Sequence, residues 1–284
     1  MRQRSVETAV LSIVQAALYT SFRMAIIEKY PAGAFCWIEL ATTHQTSAKN
    51  FYSSLFNWTM DDSPIGPDDL YTIFKLQGRD AAAAYTMRKE QRAQGVPPNW
   101  LLYISVENAE ETVAKVVKAS GVVHMPAFDV MEAGRMAVLQ DPTGAVFAIW
   151  QPKNTKGLGI SAVDNTFCWA DLSTPAPEKA TRFYSTVFGW EFSAGAKDHS
   201  GYLHIKNGEA FIGGVPPARL NSGNVPPHWL VYFRVADVAA SAAKAAQMGA
   251  TIHMGPQTME GVGTMAVIAD PQGAVFALFK SARP

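Results

Sequence analysis

The sequence predicts an α+β fold in two tandem domains, each assembled from two βαβββ units. Three observations carry this expectation: the chain repeats itself, strand-like and helix-like periods alternate within each copy, and the apolar fraction suits two packed cores. FCWIELATTHQTSAKNFYSSLFNW (residues 35–58) aligns without gaps on FCWADLSTPAPEKATRFYSTVFGW (167–190), and eleven of the 24 positions are identical. Unrelated segments of ordinary composition would share about one or two. PPNWLLYISV (97–106) matches PPHWLVYFRV (226–235), and DPTGAVFAIW (141–150) matches DPQGAVFALF (270–279). The offset, 132 residues at the start and 129 later, is far too long for a solenoid. The chain then divides into an N-terminal extension (1–30), a first domain (31–152), a linker (153–165) and a second domain (166–284).

In the first copy, Phe35–Leu40 is strand-like, whereas Ala48, Phe51, Tyr52 and Leu55 recur at the spacing of an amphipathic helix. Two strand-like runs follow, Leu70–Leu76 and Ala81–Met87. A second cycle opens with the strand Leu101–Val106. Asn108, with Glu111 three positions on, then starts a helix in the manner of a capping box, and Gly121 closes it. Strands Val122–Val130, Arg135–Gln140 and Ala145–Gln151 complete the copy. The DPTG between the last two is a turn, since Pro presets φ and Gly accepts a positive one. The second copy repeats the scheme.

Hydrophobic residues make up 48% of the chain and charged ones 17%, which excludes wholesale disorder. Lys+Arg and Asp+Glu each number 24, so no basic excess points to nucleic acid. Two cysteines build no disulfide framework, which favours a reducing, cytoplasmic setting. The apolar run 9–22, AVLSIVQAALYTSF, is shorter than the roughly 20 residues of a membrane-spanning helix. It is also followed by no clear small-x-small cleavage site, so it reads as a helical extension or as residues upstream of a true start at Met24.

An FY on the first helix, a following LFNW or VFGW, and a DPxG before the final strand resemble the vicinal oxygen chelate superfamily. This is the group of glyoxalase I, bleomycin-resistance proteins and extradiol dioxygenases. The resemblance covers residues 33 to 281, and FCW, PPxW and DPxGAVFA are most similar to a bacterial two-domain subgroup described only as glyoxalase-like or hydroxylase-like. It implies that paired βαβββ units curl their sheet around a cavity, where metal-dependent members hold a divalent ion with His and Glu. The implied ligand positions fall on Trp37, Leu101 and Ala148 in the first copy and on Trp169, Leu230 and Ala277 in the second. None of these side chains ligates such a cation. The expectation is therefore that the chain uses no metal and no other cofactor.

Strand parity then assigns the cavity lining. With Trp37 facing inward, Phe35 and Glu39 should follow it, as should Asn99, Leu101, Tyr103, Val146, Ala148 and Trp150. The second cavity should be lined by Trp169, Asp171, His228, Leu230, Tyr232, Ala277 and Phe279. Apolar and aromatic walls with one carboxylate suit a small-molecule ligand, although the same side chains can simply fill the sheet as core. Glu39 and Asp171 occupy equivalent positions and are the candidate general acids or bases. The alternative for each is a carboxylate paired with an Arg or capped by backbone N–H groups. His228 stands where the first copy has Asn99, so the two pockets should differ in polarity. His124 and His253 read as structural residues on a strand edge, while Cys36 and Cys168 read as small buried hydrophobes. Three functions stay open: a binder of a small apolar or aromatic molecule, a lyase, isomerase or hydroxylase of the same superfamily, or a degenerate scaffold that serves assembly. No nucleic acid or membrane is expected as partner, and the chain is expected to be a monomer of two fused domains or a homodimer.

Overall fold

The computed structural model describes residues 29–67, 69–195, 200–220 and 225–282. The apolar run 9–22 and His199 lie outside them. The first half runs β1 (Phe35–Thr42), α1 (Gln45–Phe56), β2 (Thr59–Pro64), β3 (Leu70–Leu76), β4 (Arg79–Thr86), α2 (Lys89–Ala93), β5 (Asn99–Ser105), α3 (Ala109–Lys118), β6 (Val122–Val130), β7 (Gly134–Gln140) and β8 (Val146–Pro152). The second half repeats it without the short α2. Its elements are β9 (Phe167–Ser173), α4 (Pro177–Phe188), β10 (Glu191–Ser193), β11 (Leu203–Asn207), β12 (Ala210–Val215), β13 (His228–Arg234), α5 (Val238–Gln247), β14 (Thr251–Met259), β15 (Gly263–Ala269) and β16 (Val275–Ser281). Each half forms one curled eight-stranded sheet, ordered β2-β3-β4-β1-β5-β8-β7-β6 and β10-β11-β12-β9-β13-β16-β15-β14. Antiparallel pairing of β1 with β5, and of β9 with β13, joins the two βαβββ units of each sheet.

Two strands escape the sequence pattern. β2 (TMDDSP) and β10 (EFS) are short, largely exposed sheet edges, so no apolar alternation marks them. The helices follow their local signals more closely. Asn108 accepts a hydrogen bond from the Glu111 N–H as expected, but the Glu111 carboxylate accepts from the Asn108 side-chain amide rather than from its backbone. The LFNW and VFGW motifs mark where α1 and α4 stop: Asn57 (φ 61°) and Gly189 (φ 72°) adopt the left-handed conformation that closes helices.

β1 and β9 each carry a bulge that corrects the predicted parity. Phe35 pairs with Ile104 while Trp37 pairs with Tyr103, so two residues of β1 oppose one step of β5. The extra residue turns Phe35 onto the face opposite Trp37. Phe35 therefore lines no cavity. It packs edge-on against Phe167, Trp190 and Trp229 of the other half, at centroid distances of 6.4, 5.5 and 5.4 Å. Phe167 is displaced in the same way in β9.

Helices α1 and α4 lie between the halves and bury their aromatic residues against the opposite sheet. Phe51 of α1 meets Phe276 of β16 at 6.4 Å, and Phe183 of α4 meets Phe147 of β8 at 6.2 Å. Phe56 and Trp58 pack on Phe233 of β13. Polar atoms inside this layer are satisfied across the same boundary. Tyr52 donates to Asp270 Oδ2 (2.9 Å) and accepts from Trp100 Nε1 (3.1 Å). Trp58 Nε1 donates to the Asn165 carbonyl, and Trp190 Nε1 donates to that of Gly33. The mirror tyrosine, Tyr184, accepts from Trp229 Nε1 at 3.0 Å and lies against Asp141, whose charge adds to burial in raising the phenol pKa. Asp141 Oδ2 has no hydrogen bond of good geometry, so this second latch is the looser one.

Both phenylalanines are almost fully buried, so Phe51→Ala or Phe183→Ala should each cost about 3–5 kcal/mol. Because each ring packs on the other half, urea unfolding followed by tryptophan fluorescence and by circular dichroism should shift together for both variants. Unchanged midpoints would refute this packing.

Candidate functional site

The helix-free face of each sheet carries a buried carboxylate at matching places in β1 and β9. Glu39 is 9% exposed and Asp171 6%. Glu39 Oε2 accepts from the Tyr71 hydroxyl at 2.7 Å, and Oε1 from that of Tyr103 at 3.0 Å. Trp37 Nε1 donates to the Tyr71 oxygen at 3.2 Å. In the second half, Asp171 Oδ2 accepts from Tyr232 at 2.7 Å, while Oδ1 accepts from Tyr202 at 2.6 Å and from Trp169 Nε1 at 3.0 Å. The aspartate is one methylene shorter than Glu39, and there the indole reaches the carboxylate itself. Neither carboxylate is paired with an Arg or capped by backbone N–H groups; phenols and an indole take that role.

Backbone register explains why these groups meet. Directly paired residues share a sheet face. Glu39 lies opposite Leu101 and Ala83, Ala83 opposite Ile73, and Trp37 opposite Tyr103, which lies opposite Ala148. In the second half Asp171 lies opposite Leu230 and Gly214, and Trp169 opposite Tyr232, which lies opposite Ala277. The absence of a side chain at Gly214 makes the second arrangement possible. A Cβ there would stand 1.8 Å from the Tyr202 hydroxyl, so only glycine leaves room for the phenol that grips Asp171.

Tyr71 and Tyr202 are the members of these clusters that strand parity missed. They occupy corresponding positions, each two residues before the residue that pairs with Ala83 or Gly214. The signal was present as a tyrosine in both copies 131 residues apart, in LYTIFKLQG and GYLHIKNG.

Burial raises the pKa of both carboxylates, and the phenol donors only partly offset it. Burial and the neighbouring carboxylate hold Tyr71, Tyr103 and Tyr232 far above the ordinary phenol range, so they stay neutral donors. Each site is thus a protonatable carboxyl group seated under neutral phenols and an indole, on a face where Tyr71, Leu101, Met136, Trp169, Leu230 and Phe279 are only half-buried. That arrangement can stack an aromatic ring and exchange a proton with it.

Other sequence-derived residues have local duties. Trp150 shares the face but donates its Nε1–H to the Thr155 carbonyl at 2.9 Å. Asn99 Nδ2 donates to the Pro97 carbonyl at 2.8 Å, and His228 Nδ1 lies 2.9 Å from that of Pro226. Both side chains therefore close the turn before their strand, and the Asn99-to-His228 exchange does not by itself set the polarity of the two sites. His124 and His253 are exposed on the edge strands β6 and β14. Cys36 and Cys168 point at the carbonyls of Tyr103 and Tyr232, and burial pushes both thiols up. Two surface clefts, of about 410 and 280 Å³, lie between helices of opposite halves and are lined by none of the site residues.

Comparison with known proteins fits this geometry. The model of the Glyoxalase/Bleomycin resistance protein/Dioxygenase superfamily matches residues 35–149 and again 166–278. The chain belongs to this superfamily. It is 40% identical over 262 residues to CFP32 of Mycobacterium tuberculosis, covering 89% of this chain and 97% of that protein, whose name assigns it provisionally as a glyoxylase. It is 29% identical over 269 residues to the anthracycline biosynthesis protein DnrV of Streptomyces peucetius, covering 88% and 94%. The crystal structure of the Mn(II)-bound glyoxalase from Novosphingobium aromaticivorans has the same fold (TM-score 0.60, 15% identity, 87% of this chain and 82% of that one).

A metal of the superfamily's kind does not fit the donor set. The implied ligand positions carry indole, isobutyl and methyl groups, and the described residues contain no cluster of three His, Cys, Asp or Glu side chains. The Glu39 and Asp171 oxygens already accept from phenol O–H groups and, at Asp171, an indole N–H, and neither carboxylate belongs to a group of three ligating side chains among the described residues.

The raised carboxylates give a signed pH dependence. A carboxylate whose native pKa is raised stabilises the fold fully below its unfolded value, about 4.3 for Glu, and that contribution is lost as pH climbs through the native value. Glu39→Gln does not titrate. Relative to wild type, its stability should therefore improve as urea midpoints are compared from about pH 4 to about pH 8. A pH-independent difference, or one of opposite sign, would show that the tyrosine donors outweigh burial.

Proposed function

We propose that the chain is a metal-independent binder of small apolar or aromatic molecules, with one site on the open face of each sheet. In this reading the domains span residues 31–152 and 166–284, and each contributes its own site. The observation that carries it is the combination, twice over, of a neutral-phenol-gripped carboxylate with half-buried aromatic and aliphatic side chains where metal-dependent relatives need donor atoms. Superfamily membership and a relative named for anthracycline biosynthesis support an aromatic ligand, since an anthracycline is a fused-ring aromatic compound. Trp37 and Trp169 flank the ring; Leu101, Tyr103, Ala148 and Trp150 line the first site, and Leu230, Tyr232, Ala277 and Phe279 the second. His228 stands at the mouth of the second. Two cysteines that form no disulfide accord with a cytoplasmic setting. Among the described residues no helix is long and apolar enough to cross a membrane.

The raised pKa of both carboxylates favours a second reading, an enzyme of the lyase, isomerase or hydroxylase kind with Glu39 or Asp171 as general acid or base. Glu39→Gln separates the two. A binder keeps most of its affinity, whereas an enzyme binds but fails to turn over.

A fused-ring aromatic probe should quench tryptophan fluorescence saturably. Trp37→Ala or Trp169→Ala should each weaken binding at its own site by about 1 kcal/mol or more. Binding that both variants leave unchanged would remove the indoles from the site.

Purified protein should hold no stoichiometric divalent ion, and chelators should leave its urea midpoint in place. Elemental analysis finding about one tightly held zinc, nickel or iron per half would overturn metal independence.

A further inference from the structure

The two open faces share a frame but differ in what surrounds it. Ile73 of β3 lies opposite Ala83, which lies opposite Glu39. At the corresponding place His204 of β11 lies opposite Gly214, which lies opposite Asp171. Further along the same faces, Val122 and Phe128 of β6 lie opposite Gln140 and Met136. Their counterparts in β14 are Thr251 and Gln257, opposite Ala269 and Met265. At three matched positions the first face is apolar and the second polar, and at a fourth, Gln140 against Ala269, the order is reversed.

His204 is the pointed member of this set. Its half-buried ring is held edge-on by Tyr202 at 5.1 Å and Phe211 at 5.7 Å. Its ring nitrogens have no hydrogen-bond partner among the described residues. A neutral imidazole still carries one N–H donor, and a charged one carries two. A charged His204 opposes the burial-driven rise of the Asp171 pKa, but makes no hydrogen bond to the Asp171 oxygens, which accept from Trp169, Tyr202 and Tyr232. A half-buried donor fixed between two rings, with no hydrogen bond of its own among the described residues, suits a ligand acceptor.

Resting on the binding reading above, we propose that the two sites are specialised. The second-half site takes an aromatic molecule bearing an acidic oxygen, which accepts a hydrogen bond from His204. The first-half site, with Ile73 in that place, takes an apolar aromatic molecule. His204 sets the specificity of its site.

Calorimetric binding of 2-naphthoate and of 2-methylnaphthalene, which has no hydrogen-bond acceptor, to the full chain tests this. Naphthoate binding should weaken about tenfold or more in His204→Ile and in Trp169→Ala. It should persist in Trp37→Ala and in His204→Gln, whose amide keeps a donor. Ile73→His should create a second naphthoate site, and this gain decides the matter if circular dichroism shows that His204→Ile does not fold. Methylnaphthalene binding should be insensitive to His204→Ile. Naphthoate affinity unchanged in His204→Ile, equal loss of both probes, or no second site in Ile73→His would overturn the specialisation while leaving the binding reading in place. If neither probe binds the wild-type chain, the binding reading falls and the specialisation with it.

Discussion

The constraint on which the rest depends is that neither half owns a complete core. Each half presents one sheet face to a layer of helices, and the helix-borne aromatics that fill that layer belong partly to the other half. Tyr52 draws this together: its ring packs on Trp100 of its own sheet and on Phe276 of the opposite one, and its hydroxyl bridges Trp100 to Asp270. An unpaired buried hydroxyl, indole N–H or carboxylate costs about 1–3 kcal/mol. Closing all three in one network therefore fixes the approach of the halves as well as filling space.

The same network explains why the repeated motifs exist. FY supplies the ring and hydroxyl that cross the boundary, PPxW the indole that donates to it, and DPxG the aspartate that receives it. The Asp270 and Asp141 carboxylates each also gather backbone N–H groups of their own turn through Oδ1, so one side chain shapes the turn and ties the halves together. The tryptophans that end LFNW and VFGW donate to carbonyls just before the first strand of the other half. These motifs are architectural, and they occupy the helix-covered face of the sheets.

That division of labour frees the other face. With stability lodged between the halves, the open faces hold features a core would avoid: buried carboxylates, clustered phenols and, beside Asp171, an imidazole. Burying a carboxyl group is unfavourable without partners, and both copies provide tyrosine and tryptophan donors for it. The copies have kept this frame while their surroundings diverged, from Ile73 to His204 and from Phe128 to Gln257. Duplicated binding faces that read different ligands would leave this pattern.

Much of this was legible in the residues alone. The repeat, the alternation of periods and the turn residues determined two α+β halves of βαβββ units, because binary pattern and turn chemistry act locally. Parity along strands also put Trp37, Glu39, Leu101 and Tyr103 on one face, and Trp169, Asp171, Leu230 and Tyr232 on its counterpart. Parity counts residues, however, and a bulge adds one that no local signal announces. Counting alone therefore puts Phe35 on the wrong face. The edge strands β2 and β10 stayed hidden because exposed strands need no apolar alternation. Only the tertiary structure decided which half each helix packs against, and that Tyr71 and Tyr202, far along the chain from Glu39 and Asp171, grip those carboxylates. Register between distant strands sets such meetings, and register is a property of the assembled sheet rather than of any segment within it.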